Sequence, residues 1–241
     1  MKMPGVNLIV LLIISLFLSF TACSKNNNTN NSPAAMNTTN DTGKRYLALG
    51  DSYTIGQSVA ENERFSAQTV ALLRAQNITI KDPQYIAITG WTTANLMAAV
   101  NSQNPQGPFD VVTLLIGVND QYQGVDTATY RTRFTQLLNK AVQLAGAKAS
   151  HLFVLSIPDY SVTSFVQQAD KARVRREVDL FNAINKQVTL LYNIAYADIT
   201  PSTRQAETNA SLIANDGLHP SGSEYKKWAE MLAPLMKPVL Q

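Results

Sequence analysis

Two residue types that often build functional sites are almost absent from this sequence, since its 241 residues contain one cysteine and two histidines. A single cysteine, Cys23, excludes a disulfide bond within the chain. With only His151 and His219 beside it, the chain lacks the ligands of a closed transition-metal site. No G-x-G-x-x-G motif or P-loop lysine follows a predicted strand. We therefore expect neither a metal nor a nucleotide cofactor.

The chain also lacks a large excess of charge of either sign. The chain has 20 Lys and Arg against 17 Asp and Glu, which gives a formal net charge of +3. The densest basic run, Lys171–Arg176, is interleaved with Asp170, Glu177 and Asp179, which is typical of the solvated face of a helix. Nucleic-acid binding requires a concentrated basic face. The sequence therefore predicts no nucleic-acid partner.

The N-terminal segment is apolar, but it is too short to cross a membrane comfortably. Lys2 precedes an apolar stretch from Leu8 to Phe20, whereas a spanning helix takes about 20 residues. A basic start, a short apolar segment and small residues before a break predict a secretory signal over residues 1–22. The run Phe20–Cys23 resembles the bacterial lipobox, in which the cysteine becomes the lipidated first residue, although Phe20 stands where leucine is usual. A plain secretory signal with an incidental cysteine is the alternative.

Residues 23–43 are expected to form a flexible tether. Ser24 to Thr42 is dominated by Asn, Thr and Ser, and such a segment cannot bury enough apolar surface to fold. Residues 44–241 are long enough for one globular domain with a sizeable core, since 45% of the chain is hydrophobic. The sequence thus predicts an exported protein, lipid-anchored through Cys23 to the periplasmic face or the surface of a bacterial membrane.

Strand and helix patterns alternate through the folded part. Short apolar runs predict five strands, at Arg45–Leu49, Tyr85–Thr89, Val111–Ile116, His151–Ile157 and Ala195–Ile199. Amphipathic runs predict helices at Phe65–Ala75, Thr93–Val100, Thr127–Leu144, Asp170–Leu191 and Glu224–Leu235, with Trp228 on the apolar face of the last. Asn101 to Pro108 is predicted to be a loop. This alternation predicts an α/β fold, with a parallel sheet covered by helices on both sides.

Glycine-bearing polar turns follow three of the predicted strands. They are Gly50–Ser52, Gly90–Thr92 and Gly117–Asn119. Because ligands of such sheets bind beyond the carboxyl ends of the strands, all three turns are expected to meet at one edge.

Acyl transfer needs a nucleophile, a base, a group that orients the base, and donors for the developing oxyanion. His219 is the candidate base, because His151 opens a strand at the opposite edge and is interpreted as a structural residue. Asp216, three residues before His219, can fold back onto the imidazole and fix its tautomer. A helix cap beside an incidental histidine is the alternative reading of that loop. Ser52 is the candidate nucleophile, although a Gly-Asp-Ser triplet alone is also compatible with a turn or a helix cap.

Gly90 and Asn119 complete the set. Gly90 can offer a backbone N–H without a Cβ to obstruct a substrate, and Asn119 can offer a side-chain N–H. Together with His219 and Asp216, the residues at these turns fill every role that acyl transfer requires.

The same residues resemble the SGNH, or GDSL-type, hydrolase family, whose four signature blocks occur here in the family's order. The blocks are Gly50–Tyr53, Thr89–Thr93, Gly117–Asp120 and Asp216–Pro220, and Tyr53 replaces the leucine of the first block. The resemblance spans Arg45 to Leu235 and implies a three-layer α/β/α sandwich, flavodoxin-like, without a metal or cofactor. It also implies an oxyanion hole formed by the N–H groups of Ser52 and Gly90 and the side chain of Asn119. Asp51 and Asp120 would be supporting residues that hold their loops.

We therefore predict a carboxylic ester hydrolase that works through an acyl-enzyme on Ser52. An acyltransferase with the same site and a non-catalytic glycan-binding lipoprotein are the alternatives. No long apolar lid is evident, which favours short acyl or acetyl esters, those of carbohydrates among them, over long-chain lipids. The loops 56–63, 101–107, 158–168 and 200–215 are expected to frame the pocket, and Trp91 is a candidate for its lining. The sequence does not indicate an oligomeric state.

Overall fold

A computed structural model describes residues 43–241. The predicted signal segment, residues 1–22, and the lipidation site Cys23 lie outside the described residues, as does the predicted tether up to residue 42.

The centre of the molecule is one sheet of five parallel strands in the order β2-β1-β3-β4-β5. The strands are β1 (Tyr46–Gly50), β2 (Gln84–Ala87), β3 (Val111–Leu115), β4 (Leu152–Leu155) and β5 (Ala195–Ala197). All residues of β1, β3 and β4 are buried, as expected for strands covered on both faces. The predicted α/β fold with a central parallel sheet is confirmed.

Helices cover both faces of this sheet. They are α1 (Ser52–Ile55), α2 (Phe65–Arg74), α3 (Thr93–Gln103), α4 (Val118–Tyr122), α5 (Thr127–Leu144), α6 (Lys171–Leu191), α7 (Thr200–Thr203) and α8 (Gly222–Leu240). Helices α2 and α8 pack together, and α5 packs against both α3 and α6, which gives the three layers. Within residues 43–241, none of the helices combines the length and the apolar character that crossing a membrane requires.

Two helices extend past their predicted ends. Helix α3 continues to Gln103, so the predicted loop begins only at Asn104, which adopts a left-handed conformation with φ of 41°. Helix α8 continues to Leu240 through Pro234 and Pro238, although proline in a helix interior removes a backbone donor and costs about 3 kcal/mol. Met236 and Leu240 are buried on its apolar face, and this packing accounts for the extension.

The core has an aromatic centre on α8. Trp228 is fully buried, and its ring lies 6.0 Å from the ring of Phe65 on α2 and 4.9 Å from that of Tyr225. The indole N–H donates to Glu224 at 2.9 Å, so the polar group of the buried Trp228 ring is paired. The packing of Trp228 and Tyr225 on Phe65 fixes α8 against α2, and α8 begins directly after the loop that carries His219.

Candidate active site

The predicted nucleophile, Ser52, is the first residue of α1 and follows β1 by a single residue. That residue, Asp51, caps α1 by accepting a hydrogen bond from the backbone N–H of Tyr53 at 3.0 Å. Gly50 is required by close packing, because a Cβ there would lie 2.0 Å from Thr54 Oγ1 and 2.4 Å from the carbonyl oxygen of Leu115. The turn therefore holds Ser52, only 4% exposed, at the carboxyl edge of the sheet.

His219 and Asp216 form a tight pair in the loop before α8. The distance from His219 Nδ1 to Asp216 Oδ2 is 2.6 Å, and the imidazole is largely buried, with its residue 6% exposed. The other carboxylate oxygen, Oδ1, accepts hydrogen bonds from the backbone N–H groups of Leu218 (3.0 Å) and His219 (2.9 Å). Asp216 thus folds back onto the histidine three residues later, and this geometry fixes the ring tautomer with the proton on Nδ1.

The pKa of the Asp216 carboxyl is held below its ordinary value. Partial burial acts to raise this pKa, but hydrogen bonds from the Ser58 hydroxyl, from His219 and from the backbone N–H groups outweigh it. Asp216 is therefore a carboxylate across the physiological pH range. The permanent negative charge of Asp216 beside Nδ1 stabilises the imidazolium that forms when the ring accepts a proton at Nε2.

The glycine turn after β2 presents an unpaired backbone donor. Gly90 has φ of 83°, in the left-handed region, and a Cβ built there would meet no atom within 4 Å. The backbone conformation, rather than lack of space, is thus what favours glycine at this position. In the described part of the chain the N–H of Gly90 donates to no other group, and the same holds for the N–H of Ser52. Both groups are free to bind an oxyanion.

The asparagine turn after β3 places Asn119 in α4. Its Nδ2 donates to the carbonyl oxygen of Trp91 at 3.0 Å and lies 3.5 Å from Asp51 Oδ2. The first contact orients the amide, and the second is at the limit of hydrogen bonding, so one N–H of the amide remains available. Asn119 is thereby tied to both neighbouring turns.

Asp120 joins the glycine turn to the asparagine turn. Its carboxylate accepts from the backbone N–H of Thr93 at 2.8 Å and from the Thr93 hydroxyl at 2.6 Å, at the start of α3. Burial raises the pKa of Asp120, against the effect of these hydrogen bonds. The carboxyl is fully buried and connects the two loops.

One cavity of about 120 Å³ brings these turns together. Ser52, Gly90, Asn119 and His219 all line it. Within residues 43–241 no hydrogen bond joins Ser52 Oγ to the imidazole, although both side chains face the same space. Catalytic hydrogen bonds are often long in ligand-free enzymes and tighten when substrate binds, so this spacing is compatible with proton transfer.

The sequence did not identify the aromatic wall of this cavity. Tyr122, Tyr160 and Phe165 line it, with ring centroids 6.0 to 6.4 Å apart. Tyr122 and Phe165 are 60% and 49% exposed, so the cavity opens to solvent between them. The side chain of Trp91, the predicted candidate, does not line the cavity and packs against the core instead. The available signal was the presence of aromatic residues in the segments that follow β3 and β4.

Of the loops expected to frame the pocket, only 158–168 contributes lining residues. The loop 101–107 precedes β3 and therefore lies at the opposite edge of the sheet, where Arg45 binds the carbonyl oxygens of Gln106 and Pro108. His151 is also at that edge, and its Nδ1 lies 2.6 Å from the carbonyl oxygen of Asp110. In the portion of the chain that the structure covers, no three His, Cys, Asp or Glu side chains are grouped to hold a metal ion.

Asp51 is a buried carboxyl with an unusual titration. Loss of hydration raises its pKa to about 8, and the neighbouring Asp120 adds to the shift, while the hydrogen bond from the Tyr53 N–H opposes it. A raised pKa means that the folded protein binds a proton that the unfolded chain releases near pH 4. Asp51 therefore destabilises the fold progressively as pH rises from about 4 to about 8.

We expect Asp51→Asn to flatten the dependence of stability on pH. The amide mimics the protonated carboxyl and keeps the acceptor for the Tyr53 N–H, so the variant avoids the cost of a buried charge. The free energy of unfolding of the wild type should fall by roughly 1–3 kcal/mol more between pH 5 and pH 8 than that of the variant. Urea titrations of both proteins at these two pH values measure the difference. An equal change in the free energy of unfolding of the two proteins would show that Asp51 is charged in the folded state at both pH values.

A parallel sheet that brings a serine, a glycine, an asparagine and a histidine to one cavity is the arrangement of SGNH-type hydrolases. The profile of the GDSL-like lipase/acylhydrolase family matches residues 48–227, and the chain belongs to that family. It is accordingly a hydrolase that acts on esters. No curated protein sequence matches the chain significantly.

Solved structures share the fold at low sequence identity. TesA superposes with a TM-score of 0.63 at 19% identity, over 82% of this chain and 100% of its own. The esterase EstA from Pseudoalteromonas sp., inhibited by monoethylphosphonate, gives 0.61 at 18% identity, over 81% of this chain and 97% of its own. A catalytic variant of Axe2, an acetylxylan esterase from Geobacillus stearothermophilus, gives 0.62 at 21% identity, over 80% of this chain and 94% of its own.

Proposed function

We propose that the chain hydrolyses carboxylic esters through an acyl-enzyme, with Ser52 as nucleophile, His219 as general base and acid, and Asp216 as the carboxylate that orients His219. The observation that carries this proposal is the shared cavity of Ser52, Gly90, Asn119 and His219, with Asp216 Oδ2 held 2.6 Å from His219 Nδ1. Asp51 and Asp120 are supporting residues, since one caps the nucleophile helix and the other links the two donor turns.

The reaction follows from these positions. His219 Nε2 takes the proton of Ser52 Oγ as that oxygen attacks the ester carbonyl, and the imidazolium is stabilised by Asp216. The resulting oxyanion is bound by the N–H groups of Ser52 and Gly90 and by Asn119 Nδ2. His219 then protonates the leaving alcohol. A water molecule, deprotonated by His219, attacks the acyl-enzyme and releases the acid, which restores Ser52.

We further propose short acyl groups, acetyl foremost, as the acyl part, and carbohydrates as one class of alcohol. A cavity of about 120 Å³ has little room for a long chain. The exposed faces of Tyr122 and Phe165 at its mouth are suited to pack against the apolar face of a sugar ring. Axe2, which has the same fold, is described as an acetylxylan esterase.

The test is hydrolysis of p-nitrophenyl esters from acetyl to palmitoyl, together with acetylated oligosaccharides. We expect the highest kcat/KM for acetyl or another short chain, and a preference for palmitoyl would contradict the short-acyl proposal. Incubation with an ethyl p-nitrophenyl phosphonate should add one phosphonyl group, located on Ser52 by peptide mass spectrometry. A glycan-binding protein without catalysis would show neither turnover nor labelling.

An acyltransferase would share every residue of this site and differ only in the acceptor. Release of acid with and without a high concentration of a sugar acceptor separates the two reactions. A hydrolase keeps releasing acid, whereas a transferase forms sugar ester at the expense of acid.

We also propose that the enzyme is exported and lipid-anchored through Cys23; the support is the predicted secretory signal over residues 1–22 and the lipobox-like run Phe20–Cys23. We expect the full chain, expressed in a bacterium fed a clickable fatty acid, to carry the label and to sediment with membranes. Cys23→Ser should abolish the label without changing the esterase activity of the purified protein. Labelling of Cys23→Ser equal to that of the wild type would contradict the anchor.

A further inference from the structure

Ser58, which lies after α1, contacts the carboxylate of the proposed triad. Its hydroxyl donates to Asp216 Oδ2 at 2.6 Å, the same oxygen that lies 2.6 Å from His219 Nδ1. Oδ2 therefore receives two short hydrogen bonds, one from the base and one from the loop that follows the nucleophile. Hydrogen bonds to a charged acceptor are about twice as strong as those between neutral groups.

The segment Gly56–Val59 that carries Ser58 is fixed to the nucleophile turn. The backbone N–H groups of Gly56 and Gln57 both donate to the carbonyl oxygen of Ser52. The side chain of Gln57 accepts from the hydroxyl of Thr89, a residue that lines the cavity beside Gly90, at 2.8 Å. One short segment thus connects the serine turn, the glycine turn and the histidine loop.

The conformation of Ser58 itself is unfavourable. Its φ is 67°, in the left-handed region, which costs a residue other than glycine about 1–2 kcal/mol. Backbone strain of this kind persists where the surrounding structure holds it, and it concentrates at functional sites. Glycine at this position would relieve the strain and would also remove the hydroxyl. The serine therefore retains a side chain at an energetic cost, and the contact that this side chain makes is the one with Asp216.

We propose that Ser58 is a positioning residue of the active site: its hydroxyl holds the Asp216 carboxylate in the orientation that aligns His219 with Ser52. This inference rests on the proposed triad of Ser52, His219 and Asp216. The hydroxyl also shares the negative charge of Oδ2, so that less of it acts on the imidazolium.

The variant that isolates this contact is Ser58→Gly, because glycine adopts the observed φ without strain. We expect kcat on p-nitrophenyl acetate to fall roughly 3- to 10-fold with little change in KM, since the hydroxyl aligns the base rather than the substrate. Thermal unfolding should be unchanged or shifted upward. Ser164→Ala is the matched control, because it removes a different hydroxyl contact to the same loop, at the carbonyl oxygen of Gly217. Its kcat should match that of the wild type.

The pH profile gives a readout that a merely structural role would not move. Without the hydroxyl, Asp216 stabilises the imidazolium more strongly, so the acid limb of kcat/KM should shift upward by roughly 0.3–0.8 pH unit. The ring of Tyr53 lies 5.1 Å from that of His219, and both Tyr53 and Tyr225 interact electrostatically with Asp216. Asp51, Asp159 and Tyr160 act on Tyr53, and Arg64 acts on Tyr225; Ser58→Gly changes none of these groups.

A double-mutant cycle decides whether Ser58 acts through Asp216. In the Asp216→Ala background, Ser58→Gly should cause no further loss of kcat and no shift of the acid limb. Additive losses, or an unchanged kcat and acid limb in Ser58→Gly alone, would overturn the inference while leaving the triad intact. Undiminished hydrolysis by Ser52→Ala would instead overturn the proposed function, so the two failures are distinguishable.

Discussion

Ser52→Ala should lower kcat for p-nitrophenyl acetate by roughly 10⁴-fold or more, the loss typical of removing the nucleophile from a serine hydrolase. The reason is that, in the proposed mechanism, every later step depends on an acyl-enzyme formed at Ser52 Oγ. In the folded protein Ser52 is 4% exposed, and its backbone is fixed by the turn at Gly50. Alanine can occupy the same helical position, so the variant should fold as the wild type does.

Substitutions of the other two triad residues, His219 and Asp216, should lower kcat by different amounts. His219→Ala should be nearly as damaging as Ser52→Ala, because no other histidine lies at this edge of the sheet. Asp216→Ala should be less damaging, since the imidazole can still accept a proton without its partner. Steady-state kinetics together with active-site titration by the phosphonate measure all three. An Asp216→Ala loss as large as that of Ser52→Ala would show that the carboxylate is indispensable here.

Asn119→Ala should lower kcat by roughly 10²–10³-fold, the usual cost of one lost oxyanion donor. The oxyanion exists only in the tetrahedral intermediate and its transition states, so the loss should appear in kcat and not in KM. The contact of Asn119 Nδ2 with the carbonyl oxygen of Trp91 leaves one N–H of the amide for this purpose. Near-wild-type turnover in Asn119→Ala would remove the residue from the oxyanion hole.

Asn95→Ala is the control for this experiment. Asn95 is also an amide side chain close to the glycine turn, where its Oδ1 accepts from the backbone N–H and the hydroxyl of Thr92. It does not line the cavity. We expect this variant to lose some stability through the weakened cap of α3 and to keep kcat within a few-fold of the wild type. A loss equal to that of Asn119→Ala would indicate displacement of the turn instead of loss of a donor.

The fold class and the turns at the carboxyl edge of the sheet could be predicted because both depend on the pattern of apolar and glycine residues within short segments. The apolar run of β3 and the turn at Gly117 indicate a buried strand and its end without reference to the rest of the chain. Parallel connection then dictates that successive turns lie at one edge. Helix ends were less predictable. Helix α8 continues through two prolines because its last residues pack against the core, and this packing cannot be read from the sequence.

The amino-acid sequence by itself determined the family, the parallel sheet, and the residue types available for catalysis. Scarcity of histidine left one candidate base, and glycine turns marked the strand ends. Only the tertiary structure decided which side chains meet across long stretches of chain. It placed the Ser58 hydroxyl on Asp216, 158 residues away, and it put Tyr122 and Phe165 in the cavity in place of Trp91. It also buried Asp51, which raises the pKa of that carboxyl to about 8. Contacts and desolvation of this kind arise when distant elements pack together, and no local pattern of residues encodes them.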